Sequence, residues 1–293
     1  MQNWIDLHMH SSYSIDGTYS PAELAQLCKN AGLKVVSLTD HNSTAGVAEM
    51  MEYGKKLHIA VIPGVELDCR FEDRFLHVLC YGINPSDDHW DAHTKAIRSV
   101  ELAASKALMA NVKNLGLDFD EEEVLALSDG GVICGEMIAE VVLRDERNAH
   151  APLLAPYRQG GERSDNPLVN FYWDYCSPGK EAYAYIAYPP LQDVMKLVKE
   201  GGGLAVLAHP GLNAGKDMAF YQRIKESGIG GIEAYSSYHS AEEIQQYLDI
   251  AREMDFLVTM GSDFHGKTKP AVQLAAFDIG NQEQLFYKIL GAI

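Results

Sequence analysis

The sequence predicts an α/β fold on a mainly parallel sheet, interrupted by an inserted, mostly helical lobe. Three observations predict it. Over residues 1–87 and again over 189–293, short apolar runs alternate with helix-length amphipathic segments, the signature of βα units. Between 88 and 188 that alternation is lost and helical periodicity replaces it. Side chains able to bind metal or move protons recur at the C-terminal ends of the predicted strands, where barrels and open α/β sheets gather their active sites.

The elements follow in order. "NWIDLHM" reads as a short strand. "SPAELAQLCKNAGL" is a helix with Ser20 as N-cap, Pro21 in its first turn and Gly32 at its end. "KVVSLTD" is a buried strand, "STAGVAEMMEYGKKLH" a helix, and "IAVIPGVELDC" and "RFLHVLCYGI" are two more strands. Residues 88–127 place Ile97, Val100, Leu102, Leu108, Val112 and Leu115 at helical spacing, and 136–143 continue it. Residues 147–180 are irregular and aromatic. Alternation resumes with the helix "PLQDVMKLVKEGGG", the strand "LAVLAHP", the helix "DMAFYQRIKESGIG", the strand "GIEAYS", the helix "AEEIQQYLDIAREMD" and the strand "FLVTMGSDFH". The domain division is therefore a core of 1–87 plus 189–293 and a lobe of 88–188.

Composition narrows the function classes. With 293 residues, 47% hydrophobic and 22% charged, the chain has the make-up of a globular protein with a large core. No apolar run reaches the ~20 residues of a membrane span, and "MQNWIDLHMH" lacks a signal peptide's basic start and apolar stretch. Five scattered cysteines without C-x-x-C predict reduced thiols and a cytoplasmic protein. A net charge of −17 with no long Lys/Arg cluster disfavours long nucleic acid as a partner. A small anionic substrate, held by local cations, is compatible with it.

The chemistry sits in short motifs. In "IDLHMHSSYSIDG", His8 and His10 fall on one face of a strand end and Asp16 follows. "SLTDH" ends the second strand with Asp40 and His41, "IPGVE" the third with Glu66, and His77 lies inside the next. "AVLAHP" supplies His209, and "VTMGSDFH" supplies Asp263 and His265. Each has an ordinary reading alone. Asp40 could cap a helix, Glu66 could pair with Arg70 or Arg74, His77 could be a satisfied core histidine, His209-Pro210 could end a strand, and Asp263-His265 could form a turn. Six of the eleven histidines at one topological position is a joint coincidence that these readings do not cover. A mixed imidazole and carboxylate set suits Zn, Mn or Fe over Ca or Mg. No G-x-S-x-G elbow offers a serine nucleophile.

This constellation resembles the PHP family, named for polymerase and histidinol phosphatase. The matches are H-x-H at 8–10, the aspartate of "SIDGT", T-D-H at 39–41, G-V-E at 64–66, His77, A-H-P at 208–210 and G-S-D-F-H at 261–265. They run in order over roughly residues 1–85 and 189–275. "GKEAYAYIAYPPLQDVMKLVKEGGGLAVLAHPG" further resembles a bacterial subgroup that dephosphorylates nucleotides or trims short RNA.

The resemblance implies a distorted (β/α)7 barrel with three divalent metal ions (Mn, Fe or Zn) at the strand C-termini. It implies that His8, His10, Glu66 and Asp263 hold one ion, and that Glu66, His77 and His209 hold a second with Glu66 bridging. Asp16, His41 and His265 would hold the third; some relatives have histidine at the position of Asp16. Asp40 would be an outer residue orienting a histidine. His8, His10, Glu66, His209 and Asp263 would be the catalytic set, clamping an in-line phosphoryl displacement by a metal-activated hydroxide.

The lobe is expected to roof the site, with Lys180 as the first candidate phosphate contact, Arg144 and Arg158 next, and Arg147 and Arg163 behind them. Tyr157, Phe171, Tyr172, Trp173 and Tyr175 could stack on a base or form an aromatic core. Where relatives carry Arg-Pro-His in the insertion, this chain reads "VICGEMIAEVVL". The function implied is hydrolysis of phosphomonoesters of small nucleotides, such as 5′-mononucleotides or 3′,5′-bisphosphates. Histidinol-phosphate phosphatase, 5′→3′ exoribonuclease on short RNA and a non-catalytic metal or nucleotide sensor are the alternatives.

Overall fold

The computed structural model describes residues 3–128, 130–277, 279 and 282–293. It divides into two compact units, Met1–Thr94 with Tyr188–Ile293, and Lys95–Ala187.

The first unit is a seven-stranded sheet in the order β1-β2-β3-β4-β5-β6-β7. The strands are β1 (Ile5–Asp6), β2 (Val35–Leu38), β3 (Ala60–Phe71), β4 (Arg74–Tyr81), β5 (Leu204–Leu207), β6 (Gly231–Ser236) and β7 (Leu257–Gly261). Its two ends meet: Leu7 N donates to Met260 O at 3.1 Å and His10 N to Phe264 O at 2.9 Å, so the sheet is nearly closed into a barrel. Helices α1 (Pro21–Asn30) and α2 (Val47–Leu57) follow β1 and β2. Helices α7 (Leu191–Gly201), α8 (Pro210–Asn213), α9 (Met218–Glu226), α10 (Ala241–Glu253) and α11 (Gln282–Leu290) accompany the later strands. Ser20 caps α1, as its sequence predicts; it does so in a reciprocal capping box with Glu23, and Ser240 does the same for α10 with Glu243. Apolar faces of α7, α9 and α10 bury Val194, Val198, Phe220, Ile224, Tyr247 and Ile250 against β3–β6, and burial of such faces is the main favourable term in the fold.

The sheet is mainly parallel, as predicted: the pairs β1/β2, β2/β3, β5/β6 and β6/β7 are parallel, and β4 runs antiparallel to both β3 and β5. No helix separates β3 from β4; Phe71 pairs with Arg74 across a two-residue turn, and Glu72 takes a left-handed φ of 57° there. The first strand is two residues long, shorter than "NWIDLHM" predicts. At its end the buried Asp6 carboxylate accepts from His8 N at 3.3 Å and Ser262 N at 2.9 Å. Helix α2 begins at Val47 after a turn, four residues later than predicted.

The lobe expected from residue 88 forms a compact unit only from Lys95. Helix α3 (Asp88–Asn114) starts where predicted, yet its first turns belong to the barrel unit. Trp90 is buried in the barrel core, and Thr94 Oγ1 donates to Asn42 O at 2.7 Å.

The second unit contains the rest of α3, α4 (Glu121–Leu125), α5 (Gly135–Arg144), short 3₁₀ turns, α6 (Pro167–Phe171) and a π-helical segment at Tyr172–Cys176. Leu108, Val112, Ile138, Val142, Tyr157 and Phe171 lie in its core, with Tyr172 and Tyr175 packed against it. Four of the five aromatics considered for stacking are thus core or core-lining; Trp173 is 56% exposed. Among the described residues no helix is long and apolar enough to cross a membrane, and all five cysteines are free.

Candidate metal centre

The strand ends deliver the predicted side chains to one basin. His8 and His10 follow β1, His41 follows β2, Glu66 lies on β3, His77 on β4, His209 follows β5, and Asp263 and His265 follow β7. Asp16 comes from the loop before α1. Reversal of β4 is what brings His77 here: in the hairpin the middle of β4 lies against the C-terminal half of β3. His209 and Asp263 adopt positive φ values of 23° and 58°, conformations that cost energy and concentrate at functional sites.

Glu66 is the hub. It is fully buried, and its Oε2 lies 3.1 Å from Nε2 of both His8 and His10 and 3.4 Å from His41 Nδ1. Its Oε1 lies 2.9 Å from His77 Nδ1 and 3.1 Å from His209 Nε2. Asp263 Oδ1 is 3.1 Å from His8 Nε2 and 3.0 Å from His10 Nε2. His265 Nε2 is 3.1 Å from Asp16 Oδ2.

The donor set fits divalent cations. His10, Asp16, His41 and His265 form one group, His8, His10, Glu66 and Asp263 a second, and His41, Glu66 and His77 a third, with one donor atom of each residue within 4.8 Å of the others. Several of these atoms are buried without an aligned hydrogen bond: His10 Nε2, His41 Nδ1, His265 Nε2, Asp16 Oδ1 and Asp263 Oδ1. Such orphans are costly unless another group satisfies them, and cations held by these groups would do so.

The opposite ring nitrogens are anchored. His8 Nδ1 faces Glu233 Oε1 at 3.0 Å, and His265 Nδ1 faces the carbonyl of Asp263 at 2.8 Å. With a cation at Nε2, each arrangement would hold the ring's proton on Nδ1. Burial and the neighbouring His265 and His41 hold His10 down to a pKa of about 4. Burial opposes ionisation of Glu66, but His8, His41 and His77 pull its carboxyl well below the usual range.

Asp40 touches no imidazole. It accepts from Ser11 N, Ser11 Oγ and Ser14 Oγ at 2.6, 2.7 and 3.0 Å, and Ser14 Oγ faces His10 Nδ1 at 3.0 Å. Its reach to a histidine therefore runs through Ser14. Burial pushes the Asp40 carboxyl up to about 6.

Sequence reasoning missed Asp68, Glu233, Tyr238 and Lys269. Asp68 Oδ1 lies 3.3 Å from His77 Nε2, and Glu233 also accepts from His209 N at 2.9 Å. Tyr238 OH and Lys269 Nζ both donate to Asp263 Oδ2, at 2.6 and 2.9 Å. The available signal was an acid inside an apolar strand: Asp68 shares the face of Glu66 two residues on, and Glu233 interrupts "GIEAYS".

The lobe candidates differ among themselves. Arg158 donates to the carbonyls of Leu143 and Asn148 at 3.1 and 3.0 Å, a strap within the lobe. Arg144 pairs with Glu123, Arg147 with Asp145 and Arg163 with Asp174. Lys180 is exposed.

Comparison with known proteins agrees with this geometry. The PHP domain model matches residues 6–160. A 3′,5′-nucleoside bisphosphate phosphatase of Chromobacterium violaceum is 26% identical over 284 residues, covering 96% of this chain and 92% of the relative. A phosphoribosyl 1,2-cyclic phosphate 1,2-diphosphodiesterase of Eggerthella lenta is 27% identical over 264 residues, covering 89% and 94%. A solved chain from Bifidobacterium adolescentis, a candidate metal-dependent phosphoesterase, superposes with a TM-score of 0.76 at 26% identity, covering 98% of this chain and 96% of that one. A family match over more than half of the chain, on a barrel whose strand ends carry the expected histidines and acids, establishes that this protein belongs to the PHP domain family.

Proposed function

We propose that this basin binds three divalent ions and removes phosphate from small nucleotides, 5′-mononucleotides or 3′,5′-bisphosphates. The chain is a hydrolase of phosphate esters; the number of ions and the nucleotide are this proposal's own. The observation that carries it is Glu66, one buried carboxylate whose two oxygens lie within 3.4 Å of five imidazoles.

His8, His10, Glu66 and Asp263 would hold one ion, Glu66, His77 and His209 a second, and Asp16, His41 and His265 the third. When bound, the ions acidify water and neutralise phosphoryl oxygens. The chain's own residues do the rest. Glu233 keeps the Nδ1 proton on His8, the carbonyl of Asp263 does so for His265, and Asp40 reaches His10 through Ser14. Tyr238 and Lys269 fix the outer oxygen of Asp263. Lys180 remains our candidate for a substrate phosphate contact.

The test is metal content per purified chain, with phosphate release measured over 5′-mononucleotides, 3′,5′-bisphosphates, histidinol phosphate and short RNA. Preferred turnover of the nucleotides is expected. Preference for histidinol phosphate or RNA would reassign the substrate, and binding without turnover under Mn²⁺ would make the protein a sensor.

A further inference from the structure

We infer that Asp68, outside the nine residues assigned above, is a positioning residue of the metal centre: it fixes His77 and is itself locked by Asn42 and the first turns of α3. The inference rests on the metal-binding reading just given.

The β3–β4 register sets Asp68 directly opposite His77. Asp68 is 4% exposed. Its Oδ1 has no aligned hydrogen bond and faces His77 Nε2 at 3.3 Å and His41 Nδ1 at 3.4 Å. His77 presents Nδ1 to Glu66 Oε1 at 2.9 Å, the reverse of His8 and His10, which present Nε2. With a cation at Nδ1, His77 would carry its ring proton on Nε2, and Asp68 is the acid standing there. A carboxylate behind a ligating histidine fixes the tautomer and raises the ring's basicity.

The far side of Asp68 is held. Its Oδ2 accepts from Asn42 Nδ2 at 2.7 Å, and its backbone N–H donates to Asn42 Oδ1 at 3.0 Å. Asn42 sits at a left-handed φ of 53°, which asparagine tolerates better than most residues. Its backbone N–H donates to Glu66 O at 2.7 Å. From α3, His93 Nε2 meets Asn42 Oδ1 at 3.1 Å and Thr94 Oγ1 meets Asn42 O at 2.7 Å. Asn42, itself held from β3 and from α3, thus fixes the pose of this acid.

The experiment compares wild type with Asp68→Asn, which keeps shape and removes charge, and with His93→Ala, which removes one brace without touching the basin. Metal per chain, metal affinity by chelator competition and the visible spectrum of the Co²⁺-substituted protein are read alongside melting temperature. Asp68→Asn is expected to weaken the affinity of at least one bound equivalent by about 10–100-fold and to change the Co²⁺ spectrum. His93→Ala is expected to move the same equivalent by a smaller factor, with His93→Gln restoring it. Wild-type affinity, count and spectrum in a folded Asp68→Asn overturn the inference; if that variant does not fold, wild-type values in His93→Ala overturn it. A wild-type chain that binds metal but releases no phosphate overturns the proposed activity and leaves this inference standing. A wild-type chain that binds no metal overturns both.

Discussion

Ser14 Oγ donates to Asp40 Oδ1 at 3.0 Å, and that single bond settles the proton on His10. The hydroxyl hydrogen points to Asp40, so the oxygen's lone pairs accept from His41 N at 2.8 Å and face His10 Nδ1 at 3.0 Å. His10 Nδ1 must then carry its proton, and Nε2 is free for the basin.

Ser14→Ala should therefore cost metal affinity or turnover by about 10–100-fold. It should also cost about 1–3 kcal/mol of stability, because the Asp40 carboxyl and the His41 N–H lose a buried partner. Denaturant unfolding of the metal-free protein, with chelator titration of the loaded protein, measures the two effects separately.

Asp263→Ala and His10→Ala should each abolish turnover while the protein stays folded, since both side chains face the basin and not the apolar core. Circular dichroism and phosphate release check this. Full activity in either variant would count against the site.

Chelation should stop turnover, and adding metal back should restore it. The melting temperature should rise with free metal, because a ligand that binds only the folded state at 1,000 times its dissociation constant adds about 4 kcal/mol. A melting temperature indifferent to metal would argue that the orphaned donors of the basin serve some other purpose.

In the lobe, Arg158→Ala should lower stability by about 1–3 kcal/mol through the two carbonyls it leaves unsatisfied. Phe171→Ala, at a fully buried position, should cost about 3–5 kcal/mol. Lys180→Ala should leave stability unchanged and raise KM. Thermal melts and steady-state kinetics on the three variants separate strap, core and contact.

Much of the basin was legible because its residues recur at strand ends, a pattern that survives without knowledge of packing. His8, His10, Glu66, Asp263 and their partners are read that way. Asp68, Glu233 and Ser14 were not: an acid inside an apolar strand is a signal, but its task, like that of a loop serine, shows only once the strand pairing puts its partner beside it. The reversal of β4 was hidden by a turn, Glu72-Asp73, that lacks the glycine of common hairpin signals. Helical periodicity is continuous through Thr94, so the sequence places the root of α3 with the lobe; periodicity cannot say which unit a turn packs against.

The hairpin has a bearing on how the centre assembles. Glu66 and His77 are 11 residues apart in the chain, whereas His209 reaches Glu66 across 143 residues and His8 reaches Glu233 across 225. The entropy lost in closing a chain segment grows with its length, so β3 and β4 can bring Glu66, Asp68 and His77 together before the two edges of the sheet have met. That gives the centre a local half, encoded in one short stretch, and a remote half that joins when the ring of strands shuts.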